Sequence, residues 1–223
     1  MNYKVRRSFS IRVGFDVNHA HVLAAVQLTN TILSDLPSSL YKSLDFKTVS
    51  AMVGSIYCDA LARETRGIVN PIEKGHPDLV PARAARATEA ELRNYPDGLE
   101  IKCTVGNIEQ GANLRAGQQR VNRLTSIVWQ AHHREVDALM GLCWDFANER
   151  DAFNYPAITG VFYSNSLEEC DWGAISGTTG RNTKVSGMVQ SGKQKMAAGW
   201  VLVLDNPTYV ERYRRVLGPD VGD

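Results

Sequence analysis

The chain has 223 residues, 43% of them apolar and 22% charged, and a formal net charge of +1. That length carries one domain with a sizeable core, and the composition excludes an intrinsically disordered chain. The near-neutral balance excludes a globally basic nucleic-acid binder, so any nucleic-acid surface must be a local patch offset by acids elsewhere. No apolar run follows the basic residues 1 to 7, which is not the pattern of a signal peptide, and no segment approaches the length of a membrane span. Cys58, Cys103, Cys143 and Cys170 form no Cys-x-x-Cys pair, and three of them lie in apolar patterns. They read as reduced core thiols of a cytosolic protein.

Residues 1 to 16 alternate weakly at Val5, Phe9, Ile11 and Val13, which fits an edge strand or an arm. Residues 18 to 35 place His21, Val22, Ala25, Val26, Leu28, Ile32 and Leu33 at helical spacing, and Pro37 ends the run. Asp45 is the expected N-cap of a second helix over 46 to 65. Its apolar stripe is Phe46, Val49, Met52, Val53, Ile56, Ala60 and Leu61, with Gly67 as the stop. Leu79 and Val80 read as a short strand after Gly75-His76-Pro77-Asp78. Residues 81 to 97 are an insert in which Thr88 and Glu91 are spaced as a capping box. Its Arg83, Arg86 and Arg93 fit a solvated helix face or a phosphate contact.

Residues 98 to 105 carry the chemistry. Leu99, Ile101, Cys103 and Val105 are apolar at every second position, the signature of a strand. Glu100 and Lys102 therefore share the other face. Charges on a core strand must be paired, wet or functional, because burying a lone charge is costly. A second acid-x-Lys triplet, Asp45-Phe46-Lys47, opens a helical pattern, where residues two apart do not face each other. The Glu100 triplet differs by lying on an apolar strand and following a Pro-Asp. Pro77 restricts its own backbone and that of His76, so Asp78 is presented at a turn-to-strand junction.

Pro77-Asp78 followed by Glu100-Ile101-Lys102 on the next strand resembles the signature of the PD-(D/E)XK nucleases, and within them the type II restriction endonucleases. Asn70-Pro71 just ahead of Gly75-His76-Pro77-Asp78 adds to the likeness, which covers roughly residues 46 to 146 as an order of elements. It implies one α/β domain over residues 1 to 223, a mixed β-sheet flanked by helices. It also implies Asp78, Glu100 and Lys102 as catalytic residues, and Mg²⁺ held by Asp78, Glu100 and the Ile101 carbonyl. Two carboxylates suit that hard cation, and Lys102 would position the attacking water and stabilise charge on the phosphate. In the family a helix ahead of the Pro-Asp strand often brings a further acid. Glu64 fits that role or that of a solvated helix-end residue paired with Arg63 or Arg66, and Glu73 is ambiguous in the same way. The resemblance further implies a double-stranded DNA substrate cut to 5′-phosphate and 3′-hydroxyl ends. The enzyme would be a homodimer at a palindromic site, in a prokaryotic cytoplasm, with a cognate DNA methyltransferase as partner.

Downstream, residues 107 to 123 are rich in forked donors, and Arg115, Gln118, Gln119, Arg120 and Arg123 are candidates for DNA contact. Residues 124 to 131, 138 to 146 and 157 to 163 read as strands. His132 and His133 lie between the first two and read as loop histidines, with phosphate contact as the lesser reading. From Trp172 to Leu204 there is no acid. This stretch supplies Arg181, Asn182, Lys184, Gln190, Lys193 and Lys195, residue types that read base edges or hold phosphate. The blander reading is a polar hairpin or flexible loop. Residues 200 to 204 are a strand, and Asn206-Pro207 caps a last helix over 208 to 217. The readings that compete with a restriction enzyme are a structure-specific or repair nuclease of the same fold, and a non-catalytic DNA-binding protein.

Overall fold

The structure is a computed structural model. It describes residues 1–73, 75–109, 117–132, 134, 136–147, 155–176 and 185–223, without the side chains of 117–119 and 147. The central element is a five-stranded mixed sheet. Its strands are β1 (Tyr3–Val5), β3 (Glu100–Thr104), β4 (Leu139–Ala147), β5 (Tyr155–Ser164) and β6 (Trp200–Leu204), in the spatial order β1-β6-β5-β4-β3. Three neighbour pairs are antiparallel, while β3 and β4 run parallel with Lys102 opposite Gly141. A short strand β2 (Leu79–Pro81) lies outside this sheet and pairs antiparallel with Gly67–Val69.

Helices cover both faces. Helix α1 (His19–Asp35) is capped by Asn18, whose side chain accepts from the amides of Ala20 at 2.9 Å and His21 at 3.1 Å. Helix α2 (Phe46–Glu64) is capped by Asp45, which accepts from Thr48 N at 2.7 Å. Such caps are each worth about 1 kcal/mol. Their buried stripes, Val22, Val26 and Leu33 with Val49, Val53, Tyr57 and Leu61, pack on Met140, Leu142, Trp144 and Phe146 of β4. Leu139 and Cys143 of β4 turn the other way. There they meet Phe162, Trp200 and Val203, under helix α3 (Gln190–Ala198) and helix α4 (Pro207–Leu217). The described part of β4 is buried on both faces, which explains its nearly continuous apolar run. Among the described residues no helix is long and apolar enough to cross a membrane.

Several elements differ from the sequence expectation. Gly67 does not stop α2; it opens the strand that pairs with β2, and the chain turns through Thr65, whose hydroxyl accepts from Gly67 N at 3.2 Å. Residues 124 to 131 are not one strand, because their two ends have different partners. Leu124–Ser126 pairs with Asn107–Ile108, and Gln130–Ala131 with Ser186–Gly187. The polar stretch after Trp172 contains α3, which is anchored by Met196 and Ala197 in the second core. A short helix Ser38–Ser43 follows Pro37. Of the cysteines, Cys58 and Cys143 are buried, Cys103 is half-buried and Cys170 is exposed, and all four are free.

Arg120 corrects a DNA-contact expectation. It is 2% exposed, and its guanidinium pairs with Asp145 Oδ1 at 2.9 Å and donates to the Val105 carbonyl. Asp145 also accepts from Phe146 N at 2.8 Å and from the Tyr209 hydroxyl at 2.9 Å. Burial pushes the Asp145 carboxyl up to about 6, against the opposing pull of Arg120 and Tyr209. Removing one partner of such a pair strands the other charge, at about 3–5 kcal/mol. Arg120→Met should therefore lose about that much stability in urea unfolding, and adding Asp145→Asn should restore part of it. Additive losses in the double variant would rule out the pair as the cause.

Candidate active site

Asn70 ties together the described residues of the loop that leads to Asp78. The Asn70 side chain donates to the Leu92 carbonyl at 2.9 Å and the Pro77 carbonyl at 3.2 Å, and Asn70 N donates to the Asp78 carbonyl at 2.8 Å. Gly75 sits against this side chain, and a Cβ there would lie 2.4 Å from Asn70 Oδ1. The loop delivers Asp78 to β2, which is joined to the start of β3 by two reciprocal bonds. Leu79 N donates to the Leu99 carbonyl at 3.1 Å, and Leu99 N donates to the Leu79 carbonyl at 2.8 Å. Gly98 permits this approach, since its φ is +149° and a Cβ would lie 2.2 Å from the Leu79 carbonyl oxygen.

Three of the expected residues converge at this junction. Asp78 Oδ2 accepts from Ile101 N at 2.8 Å. Lys102 Nζ lies 2.5 Å from Glu100 Oε1 and 3.8 Å from Asp78 Oδ2. Side-chain exposure is 6% for Glu100, 20% for Lys102 and 33% for Asp78. His76, which sequence reasoning passed over as a site residue, joins them with Nδ1 3.4 Å from both Glu100 oxygens. Its only sequence signal is its place directly before Pro77. An open cleft of about 730 Å³ lies over this group, walled by Ser50, Gly54 and Cys58 of α2 and by His132.

The electrostatics are those of a buried mixed-charge cluster. Burial, then the charge of Glu100, raises the Asp78 carboxyl above its usual range. Burial would also raise Glu100, but the His76 hydrogen bond and the Lys102 ammonium outweigh it and hold that carboxyl well below the usual range. Burial would lower Lys102, but the charges of Asp78 and Glu100 outweigh it and keep the ammonium protonated. The hydrogen bond to Glu100 raises His76 against the opposite pull of burial.

The donor set fits a hard divalent cation. Glu100 Oε1 is buried without a hydrogen bond of regular geometry and faces a cation, Lys102, at short range. Asp78 offers a second carboxylate at the cleft, and the Ile101 peptide lies against it. Glu64 is exposed at the end of α2 and Glu73 is exposed in its loop; neither lines the cleft. The α2 wall offers Ser50, Ser55 and Cys58 instead. A separate group of Glu168, Cys170 and Asp171 is already bridged by Lys195, whose ammonium lies 2.7 Å from Asp171 and 3.3 Å from Glu168.

That bridge commits Lys195 to a structural contact. Of the other DNA-contact candidates, Arg123 and Gln190 are exposed and Lys193 is half-buried, at the start of α3. Gln118 and Gln119 lie on the Gly117–Asn122 helix with side chains outside the described residues. Arg115, Arg181, Asn182, Lys184 and His133 lie outside the described residues altogether. Compared with known proteins, the chain matches no family model, no curated relative and no solved structure.

Gly98→Ala should collide with Leu79 and separate Asp78 from Glu100. Gly218 has the same φ, 150°, but nothing within 4 Å of its added Cβ, so Gly218→Ala is the control for backbone strain alone. Thermal unfolding should show Gly98→Ala losing about 1–3 kcal/mol more than the control, the usual size of an overpacking penalty. Equal losses would mean that the Leu79 contact does not constrain the junction.

Proposed function

We propose that the chain is a Mg²⁺-dependent type II restriction endonuclease with a core of the PD-(D/E)XK kind. The observation that carries this is the meeting of Asp78, just ahead of β2, with Glu100 and Lys102 of β3, beside an open cleft that Asp78 and Lys102 line. Two carboxylates and one ammonium at such range suit metal-assisted phosphodiester hydrolysis. Asp78 and Glu100, with the Ile101 carbonyl, would hold the cation. The chemistry such a cation would supply is charge neutralisation at the scissile phosphate.

The chain's own groups supply the rest. Lys102 carries a positive charge within the cleft, so it orients the attacking water and stabilises the extra negative charge on phosphate as the P–O3′ bond breaks. Water adds to phosphorus and its proton passes to solvent, while the 3′ oxygen leaves and takes up a proton from solvent to become the 3′ hydroxyl, with phosphate retained on the 5′ end. The Ile101 amide fixes the Asp78 carboxylate for this task.

Sequence-specific binding of double-stranded DNA by a homodimer completes the reading, with a cognate methyltransferase protecting host sites. Support for the DNA path comes from the Gln130–Ala131 strand, which pairs with Ser186–Gly187. This ladder joins His132, on the cleft wall, to the described stretch that runs on into Gln190 and Lys193 of α3. Phosphate attraction from such a patch is what a chain of near-zero net charge needs.

A digest of plasmid and phage DNA with and without Mg²⁺ tests the proposal. Discrete, Mg²⁺-dependent bands are expected. Asp78→Ala, Glu100→Ala and Lys102→Ala should each slow cleavage by at least about 10²–10³-fold. Lys102→Ala should still shift DNA in a gel. A metal-dependent smear would point to a repair or structure-specific nuclease. No cutting with Mg²⁺ or Mn²⁺ on DNAs of varied sequence and methylation would leave a binding protein.

A further inference from the structure

The geometry assigns His76 a part in this site: we infer that it is a positioning residue that fixes the Glu100 carboxylate for divalent-cation binding. This rests on the metal-nuclease reading above and extends it to a residue outside the Asp, Glu and Lys set. Glu100 is clamped between two groups. Lys102 approaches Oε1 at 2.5 Å, and the His76 ring nitrogen Nδ1 lies 3.4 Å from Oε1 and Oε2 alike. A cation that takes up Glu100 must compete with the Lys102 ammonium for Oε1. Once that contact loosens, the imidazole still holds the carboxylate against swinging. Carboxylates and imidazoles in the outer sphere of a metal site act in this way, orienting the groups that bind.

The backbone holds the imidazole in place. His76 N donates to the Arg93 carbonyl at 3.3 Å, and Tyr95 N donates to the His76 carbonyl at 2.7 Å. The Asn70 side chain grips the next residue through the Pro77 carbonyl at 3.2 Å. The chain on both sides of the ring is thus fixed to the insert, while β3 fixes Glu100. To donate to Glu100, Nδ1 must carry its proton, and a protonated nitrogen does not bind a metal. The role is therefore orientation of Glu100 and not a direct bond from this nitrogen to the cation.

Calorimetric titration of Mn²⁺ into the wild-type chain and the variants His76→Ala, His76→Asn, Asp78→Ala and Glu100→Ala tests this without any need for cleavage. An asparagine amide nitrogen takes nearly the same place as Nδ1 and keeps a donor there. His76→Ala should weaken Mn²⁺ binding by about 10–100-fold, and His76→Asn should recover most of that affinity. In cleavage assays the same split should appear as a raised Mg²⁺ requirement in His76→Ala that is largely overcome at saturating Mg²⁺. Wild-type affinity in His76→Ala overturns the inference. So does a loss in His76→Asn as large as in His76→Ala, since the donor would then be irrelevant. If Asp78→Ala and Glu100→Ala leave Mn²⁺ binding intact, the metal site itself is wrong, a failure distinct from that of His76 alone.

Discussion

The candidate site depends on two backbone hydrogen bonds between Leu79 and Leu99. They are the only antiparallel bridge between the Pro-Asp loop and the start of β3 among the described residues. Without them, Asp78 and Glu100 would belong to separate segments joined by a long insert. With them, Asp78 reaches the Ile101 amide, and the side chains of positions 78, 100 and 102 share one small volume. Gly98 and Gly75 serve this approach: at both positions a Cβ would collide with a neighbour, Leu79 and Asn70 respectively. Side-chain chemistry is thus conditional on a contact in which no reactive side chain takes part.

That placement sets up an electrostatic conflict which the site resolves with paired charges. Two carboxylates brought together under partial burial repel each other, and burial penalises both. The Lys102 ammonium relieves this from one side and His76 from the other. The group is therefore neutralised in part from within, and its most buried carboxylate stays ionised. Lys102 Nζ also lies 3.8 Å from Asp78 Oδ2 and lines the cleft.

The long amphipathic helices and the β4 and β5 strands were legible because their patterns are regular over many residues. Asp45 and Asn206 cap the helices they were expected to cap. The pairing of Asp78 with Glu100 and Lys102 was legible only through the spacing of a short motif. His76 was not legible, since a histidine before a proline carries no pattern of its own and its partner is a carboxylate twenty-four residues on. Gly67 and residues 124 to 131 misled for the same reason. What they do is decided by a strand from elsewhere in the chain, and local periodicity holds no record of that partner.

Counting cations along the sequence overstates the positive charge that the fold leaves unmatched. Arg120 has the composition of a phosphate ligand and the position of a core residue, because Asp145 lies on the neighbouring β4 strand. Lys195 lies in a stretch with no acid, yet Asp171 and Glu168, just before that stretch begins, neutralise it. Arg83 and Arg93 likewise turn to Asp97 and Glu89 within the insert. A chain with 25 basic and 24 acidic residues folds by matching many of them internally. Attraction for a polyanion then falls to the cations left over, and which ones those are is a property of the fold.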